Sequence, residues 1–244
     1  MQDRSSGSKT GKQKDKIDTD IHSGHRTRLT YKALRGGMES LEEHEILEIL
    51  LFSIIPRGNT NDIAHRLLNR FGSVYNIASA DLSEILTVEG VGKKTAEFLR
   101  LLPMFVKAYE LSRFNNSMCL DNPDALGAYC KALFTGSAGE EVYLLCLNIN
   151  KRVIKRVLIS RGGSLSVHVS VKEIVKQAAI TGAVSVVLSH NHPNGILFPS
   201  QSDVSFTNEA AESLRHMDVA LEDHIIVSGN NYFSFRKEKI RILY

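Results

Sequence analysis

The spacing of apolar positions changes near the middle of the chain. From about His25 to Phe114 they recur at three and four residues, as in Ile46, Leu47, Ile49, Leu50 and Leu51, the pattern of helices that each bury one face. Ser40-Leu-Glu-Glu43 stands at capping-box spacing before that run and predicts its start. Further helices are expected over about Thr60–Phe71, Leu82–Leu86 and Lys93–Leu111, and a stretch containing a proline over Cys119–Leu133. After Gly136 the apolar residues gather into short, β-branched runs. Val142–Leu147, Val153–Ile159 and Val184–Leu188 read as strands, and His224–Val227 with Tyr232–Phe235 as a hairpin joined by Ser-Gly-Asn-Asn. Helices are expected between them at Val171–Thr181, with Ser170 and Glu173 at capping-box spacing, and at Ser200–Met217. Two domains follow: an N-terminal all-α domain over 25–114, and a C-terminal α/β (α+β) domain over 125–244 with a layered sheet and flanking helices. A linker is expected over 115–124.

Residues 1–24 hold almost no apolar side chains, so burial cannot offset the entropy of ordering them, and they read as a disordered basic arm. Charge confirms that the arm is distinct. Met1–Arg35 carries nine Lys/Arg against four Asp/Glu, a net of +5, while the remaining 209 residues carry a net of −2. No segment approaches the roughly 20 apolar residues of a spanning helix, and the N-terminus lacks the apolar core of a secretory signal. The three cysteines, Cys119, Cys130 and Cys146, are too widely spaced for a thiolate clip and too few for a disulfide scaffold. A reducing cytoplasm is the expected compartment, with no membrane partner. Any metal site must then rely on imidazole and carboxylate.

Such a set stands in Leu188-Ser-His190-Asn-His192-Pro-Asn-Gly-Ile-Leu-Phe-Pro-Ser200-Gln-Ser-Asp203. Side chains alternate along an extended strand, so His190 and His192 leave its end on the same side. A loop with two prolines and a glycine then leads into a helix whose first turn offers the Asp203 carboxylate. Three protein ligands with one open position is the arrangement of a catalytic zinc site, whereas a structural site uses four. Simpler readings compete. Ser200-Gln-Ser-Asp203 is also how a helix begins, with Ser200 capping and Asp203 favoured by the helix dipole. The two histidines taken alone are equally compatible with loop residues satisfied by backbone groups. Two imidazoles and one carboxylate also serve non-haem iron oxygenases, a possibility that the Ser200 position and an upstream acid disfavour.

The same residues resemble the JAMM metalloenzyme family through its His-x-His, seven-residue gap, Ser-x-x-Asp signature. More narrowly, His190-Asn-His-Pro-Asn-Gly195, Pro199-Ser-Gln-Ser-Asp203 and Asp223-His-Ile-Ile-Val227, together with the preceding helical domain, resemble the RadC-like proteins over roughly residues 25–240. The resemblance implies a JAMM/MPN-like, cytidine-deaminase-like layered fold and a hydrolase that cleaves peptide or isopeptide bonds with zinc. His190, His192 and Asp203 would hold the metal. An upstream glutamate would take the proton of the attacking water and pass it to the leaving amine, and Ser200 would donate to the oxyanion. Glu140 fits the glutamate by its distance from Asn148 at the strand's far end. Glu141 stays open, because strand register is not fixed by sequence.

Relatives commonly have Pro-Arg-Glu where this chain has Val171-Lys172-Glu173, so a contact expected of that arginine falls to Lys172, which lacks the bidentate fork. His168 lies just before the same helix. Asp223-His224 is placed either to orient a metal ligand or to serve as a satisfied core pair.

In the first domain, Leu86-Thr-Val-Glu-Gly90-Val-Gly92-Lys-Lys-Thr-Ala96 has the pattern of a helix-hairpin-helix, and Arg70-Phe-Gly72-Ser-Val-Tyr-Asn-Ile-Ala-Ser-Ala80 resembles the first half of a paired repeat. Gly90 and Gly92 would allow a tight turn whose amides face a phosphate at a helix N-terminus, with Lys93 and Lys94 adding charge. A DNA repair or recombination accessory protein, binding DNA without sequence preference and carrying a structural metal domain, is therefore the alternative to the hydrolase. The hairpin as a mere packing element weighs equally.

Overall fold

The computed structural model of the protein describes residues 24–114, 118–162 and 170–240, so the expected basic arm lies outside the described residues save for Gly24. The chain forms two compact units, one ending at Leu102 and the other beginning at Pro103.

The first unit is helical. Residues 24–36 form α1, followed by α2 (Glu43–Phe52), α3 (Thr60–Phe71), α4 (Val74–Ser79), α5 (Leu82–Ile85) and the start of α6 (Lys93–Ser112). Local signals set the ends of α3. The Asn59 side chain accepts from the amides of Asn61 and Asp62, and Gly72 closes the helix at φ +84°, a left-handed value that glycine adopts without strain. Between those ends Ile63, Ala64 and Leu67 face one core with Leu47, Leu51, Ile77, Ile85 and Leu99. The start of α2 differs from expectation. Glu42 and Glu45 form the capping box, while Ser40 ends a short 3-10 turn and its hydroxyl donates to the Gly37 carbonyl. Leu41 is extended at φ −110°, so no helix can propagate from Ser40.

The second unit contains α7 (Pro123–Leu133), β1 (Glu141–Leu147), β2 (Val153–Arg161), α8 (Val171–Thr181), β3 (Ser185–Asn191), α9 (Gln201–Arg215), β4 (Ala220–Ser228) and β5 (Asn231–Ser234). The strands form one mixed sheet in the order β2-β1-β3-β4-β5, with only the β3–β4 pair parallel. Strands β1 and β3 are buried at every position because helices cover both faces. On one face Val142, Leu144, Cys146, Val186 and Leu188 pack with Ile174 and Ala178 of α8 and Phe206, Ala210 and Leu214 of α9. On the other, Tyr143, Leu145, Leu147, Val187, Ile225 and Val227 pack with Leu126, Tyr129 and Leu133 of α7.

Two local expectations are corrected here. Ser170 precedes α8 but makes no side-chain cap, and Glu173 directs its carboxylate to Gln177 and Lys176 instead of back to the helix start. The unit boundary falls inside α6 instead of at 115–124. Leu111 and Phe114 pack against the second core, Phe114 meets Tyr129 edge-on, and Leu120, within the expected linker, is buried with its amide donating to the Lys151 carbonyl. Among the described residues no helix is long and apolar enough to cross a membrane.

Candidate metal centre

Strand β3 carries His190 one residue before its end, and the His192 amide donates to the Val227 carbonyl at 2.8 Å, which keeps the chain extended beside β4. Alternation therefore sends both imidazoles to the face that α9 covers. Their Nε2 atoms stand 2.9 Å apart. Asp203, in the first turn of α9, brings Oδ1 to 3.7 Å from His190 Nε2 and Oδ2 to 3.8 Å from His192 Nε2. All three ligand atoms lie within 4.8 Å of one another. His190 and Asp203 are buried, and His192 is 12% exposed at its side chain, so the cluster opens to solvent on that side.

The proton inventory shows what this cluster can accept. His192 Nδ1 lies 2.7 Å from the Ile196 carbonyl, which can only accept, so Nδ1 carries a proton and neutral His192 presents a lone pair at Nε2. Burial, against the pull of Asp203, pushes the His190 imidazole down to about 4, so this ring is neutral near pH 7. Two ring nitrogens and a carboxylate converge on one point, and a cation there would be attracted by all of them. The donor set is nitrogen and oxygen without thiolate, which suits zinc and other first-row ions bound by imidazole and carboxylate. The residues present therefore fit a metal.

Ser200 plays the capping role and contacts the Asp203 carboxylate as well. Its side chain caps the Asp203 amide at 3.2 Å, while its own amide and hydroxyl both donate to Asp203 Oδ2 at 2.7 Å. The helix-start reading and the ligand reading thus describe one arrangement, in which the capping box aims the carboxylate.

The two glutamates separate by face. Glu141 belongs to the Tyr143 side of β1, where its carboxylate accepts from Arg161 at 2.9 Å and from Ser137 at 2.8 Å, with Lys107 3.7 Å away. Glu140, half-buried, precedes the strand in the alternating set of Val142, and Val142 pairs directly with His190. An unforeseen residue fixes this segment. Asn191 accepts from the Glu141 amide at 2.7 Å and donates to the Gly139 carbonyl at 2.9 Å, clasping the backbone on both sides of Glu140. Its position between the two histidines was the only sequence signal. Replacing Asn191 with alanine leaves that buried amide and the carbonyl without their partner. The expected loss is about 1–3 kcal/mol in urea unfolding, and wild-type stability would show that the clasp contributes nothing.

Of the remaining candidates, Lys172 is exposed on α8, and His168 lies outside the described residues. In the helical unit the turn between α5 and α6 contains Gly90 at φ +87°, where a Cβ would meet Ile63 at 2.9 Å and the Arg66 guanidinium at 3.2 Å. Arg66 also donates to the Glu89 carbonyl at 3.0 Å. Gly90 therefore serves close packing of this turn on α3. A Cβ at Gly92 would meet open space, and Lys93 and Lys94 are exposed, Lys93 lying 3.8 Å from Glu97.

A mixed five-stranded sheet between helices, with a His-His-Asp cluster where its central strand meets the following helix, places the second unit among JAB-type domains. Residues 120–240 match the family model described as the RadC-like JAB domain, and residues 23–97 the UPF0758 N-terminal model. The UPF0758 protein FN0909 of Fusobacterium nucleatum subsp. nucleatum is 34% identical over 224 residues, covering 89% of this chain and 97% of that protein. The chain belongs to this family, which joins the UPF0758 N-terminal region to a RadC-like JAB domain.

Proposed function

We propose that the protein is a zinc-dependent hydrolase of the JAMM type that cleaves a peptide or isopeptide bond in a peptide or protein substrate. The convergence of His190, His192 and Asp203 beside a solvent opening carries this reading. Zinc bound there would supply a Lewis acid and lower the pKa of an attacking water toward about 7. Glu140, on the His190 face, receives the water's proton and passes it to the leaving amine. Ser200 donates to the developing oxyanion, for which its hydroxyl must exchange the present bond to Asp203 Oδ2. In the test, the zinc-loaded full chain is offered peptide and isopeptide-linked substrates. Cleavage that stops with a chelator and returns with zinc is the expected result. A chain that binds zinc and leaves every such bond intact would sink the proposal.

A second reading is that the helical unit holds the protein on DNA. It is favoured by the exposed Lys93 and Lys94 at the start of α6, beside the open Gly92. Contacts of this kind read the backbone and weaken with salt. Replacing both lysines with glutamate is expected to lower affinity for duplex DNA and to flatten the slope of log K against log salt by about 2. Wild-type binding by the double variant, or no binding by the wild type at low salt, removes this reading.

A further inference from the structure

Behind the metal-facing nitrogen of His190 runs a line of contacts that ligation itself does not require. His190 Nδ1 lies 2.8 Å from His224 Nε2, and His224 Nδ1 lies 2.6 Å from the Thr207 hydroxyl. That hydroxyl in turn lies 2.5 Å from the backbone carbonyl of Asp203. His224, on β4, and Thr207, on α9, are both fully buried. The neighbouring Asp223 is occupied elsewhere, accepting from the Ser234 hydroxyl at 2.5 Å and from the amides of Arg236 and His224. Phe235 stacks on the His224 ring at 4.8 Å. The two ring nitrogens of His224 are thus left to His190 and Thr207.

Chemistry fixes the direction of each bond. A carbonyl oxygen only accepts, so the single hydroxyl proton of Thr207 points to Asp203 and its oxygen must accept from His224. The His224 ring is fully buried and, among the described residues, its nitrogens meet only His190 and Thr207, with no carboxylate to balance a charge, so it has one ring proton, which then sits on Nδ1. Its Nε2 is a lone pair, so His190 must donate from Nδ1. With Nδ1 donating, Nε2 is the nitrogen left to offer a lone pair toward His192 and Asp203.

We propose that Thr207 and His224 are positioning residues that lock His190 in its Nδ1-protonated tautomer, so that Nε2 is presented to the metal. This rests on the metal centre proposed above. Without such a partner a neutral imidazole exchanges between tautomers, and the form protonated at Nε2 cannot ligate. The line begins on the backbone of Asp203 itself. Asp203 and Thr207 stand four residues apart on one face of α9, so a single helical turn aims one ligand through its side chain and a second through Thr207 and His224. Thr207 carries no motif of its own in the sequence. The only trace of it is its four-residue spacing from Asp203.

The test uses the full chain and zinc alone. In competition with a chromophoric chelator, Thr207→Val is expected to bind zinc about 10–100-fold more weakly than the wild type, and Thr207→Ser, which restores the hydroxyl, to recover the affinity. Nitrogen-15 NMR of the metal-free wild type should already place the ring protons of both His190 and His224 on Nδ1, a readout that a merely structural role would not set. If Thr207→Val fails to fold, this measurement decides. Equal zinc affinity in wild type and Thr207→Val, or a His224 proton on Nε2, overturns the relay and leaves the metal centre standing. A wild type without zinc affinity overturns both.

Discussion

Replacing His190 with alanine is expected to weaken zinc binding by more than about 100-fold, beyond the 10–100-fold range typical of residues that only orient a ligand. His190 is 2% exposed and its Nε2 lies 2.9 Å from that of His192, so its removal takes away one of three converging donors. The fold should survive at some cost. The change opens a small void at the end of β3 and takes from His224 Nε2 its donor, leaving a buried acceptor unsatisfied at a cost of about 1–3 kcal/mol. Zinc competition with a chelator, run beside circular dichroism and thermal unfolding, separates the two effects. A folded His190→Ala chain that binds zinc as the wild type does would remove the metal centre from this face of the sheet.

Substituting Glu140 with glutamine is expected to reduce amide hydrolysis by about 10²–10⁴-fold, the usual contribution of a positioned general acid–base, with zinc affinity near that of the wild type. Glutamine keeps the size of the side chain and loses its capacity to take a proton. The backbone at this position is held independently of the side chain, because Asn191 clasps Gly139 and Glu141 and the Gly162 amide donates to the Glu140 carbonyl at 2.7 Å. Glu141→Gln provides the contrast. It weakens the ion pairs to Arg161 and Lys107 on the opposite face and should change stability more than turnover. Chemistry lost in Glu141→Gln and kept in Glu140→Gln would reverse the assignment.

Much of the secondary structure could be read from apolar spacing, because it is local. Thr60–Phe71 and Val171–Thr181 form helices with the expected bounds, and the five expected strand segments are all strands. The capping boxes expected at Ser40 and Ser170 fail for a common reason, although the helix after Ser170 starts where expected. Capping-box spacing records that a serine and a glutamate stand three apart, but the backbone at Leu41 and the neighbours of Glu173 decide whether the two side chains meet the chain ends. The 115–124 stretch reads as a linker in the sequence, yet Leu120 within it packs into the second core, a long-range contact that the local sequence does not register.

The sequence by itself determined the residues of the proposed metal centre. His190 and His192 are two apart on an extended strand, and Ser200 and Asp203 three apart at a helix start, so each pair is aimed by the geometry of its own element. The face on which Glu140 lies, and the contacts proposed to hold His190 in one tautomer, only the tertiary structure decided. The choice between Glu140 and Glu141 depends on how β1 registers against β3, and the His224–Thr207 line needs β4 and α9 to meet behind His190. Those contacts join residues far apart in the chain, and pairing register and helix docking are set by the packed core as a whole and not by any local pattern.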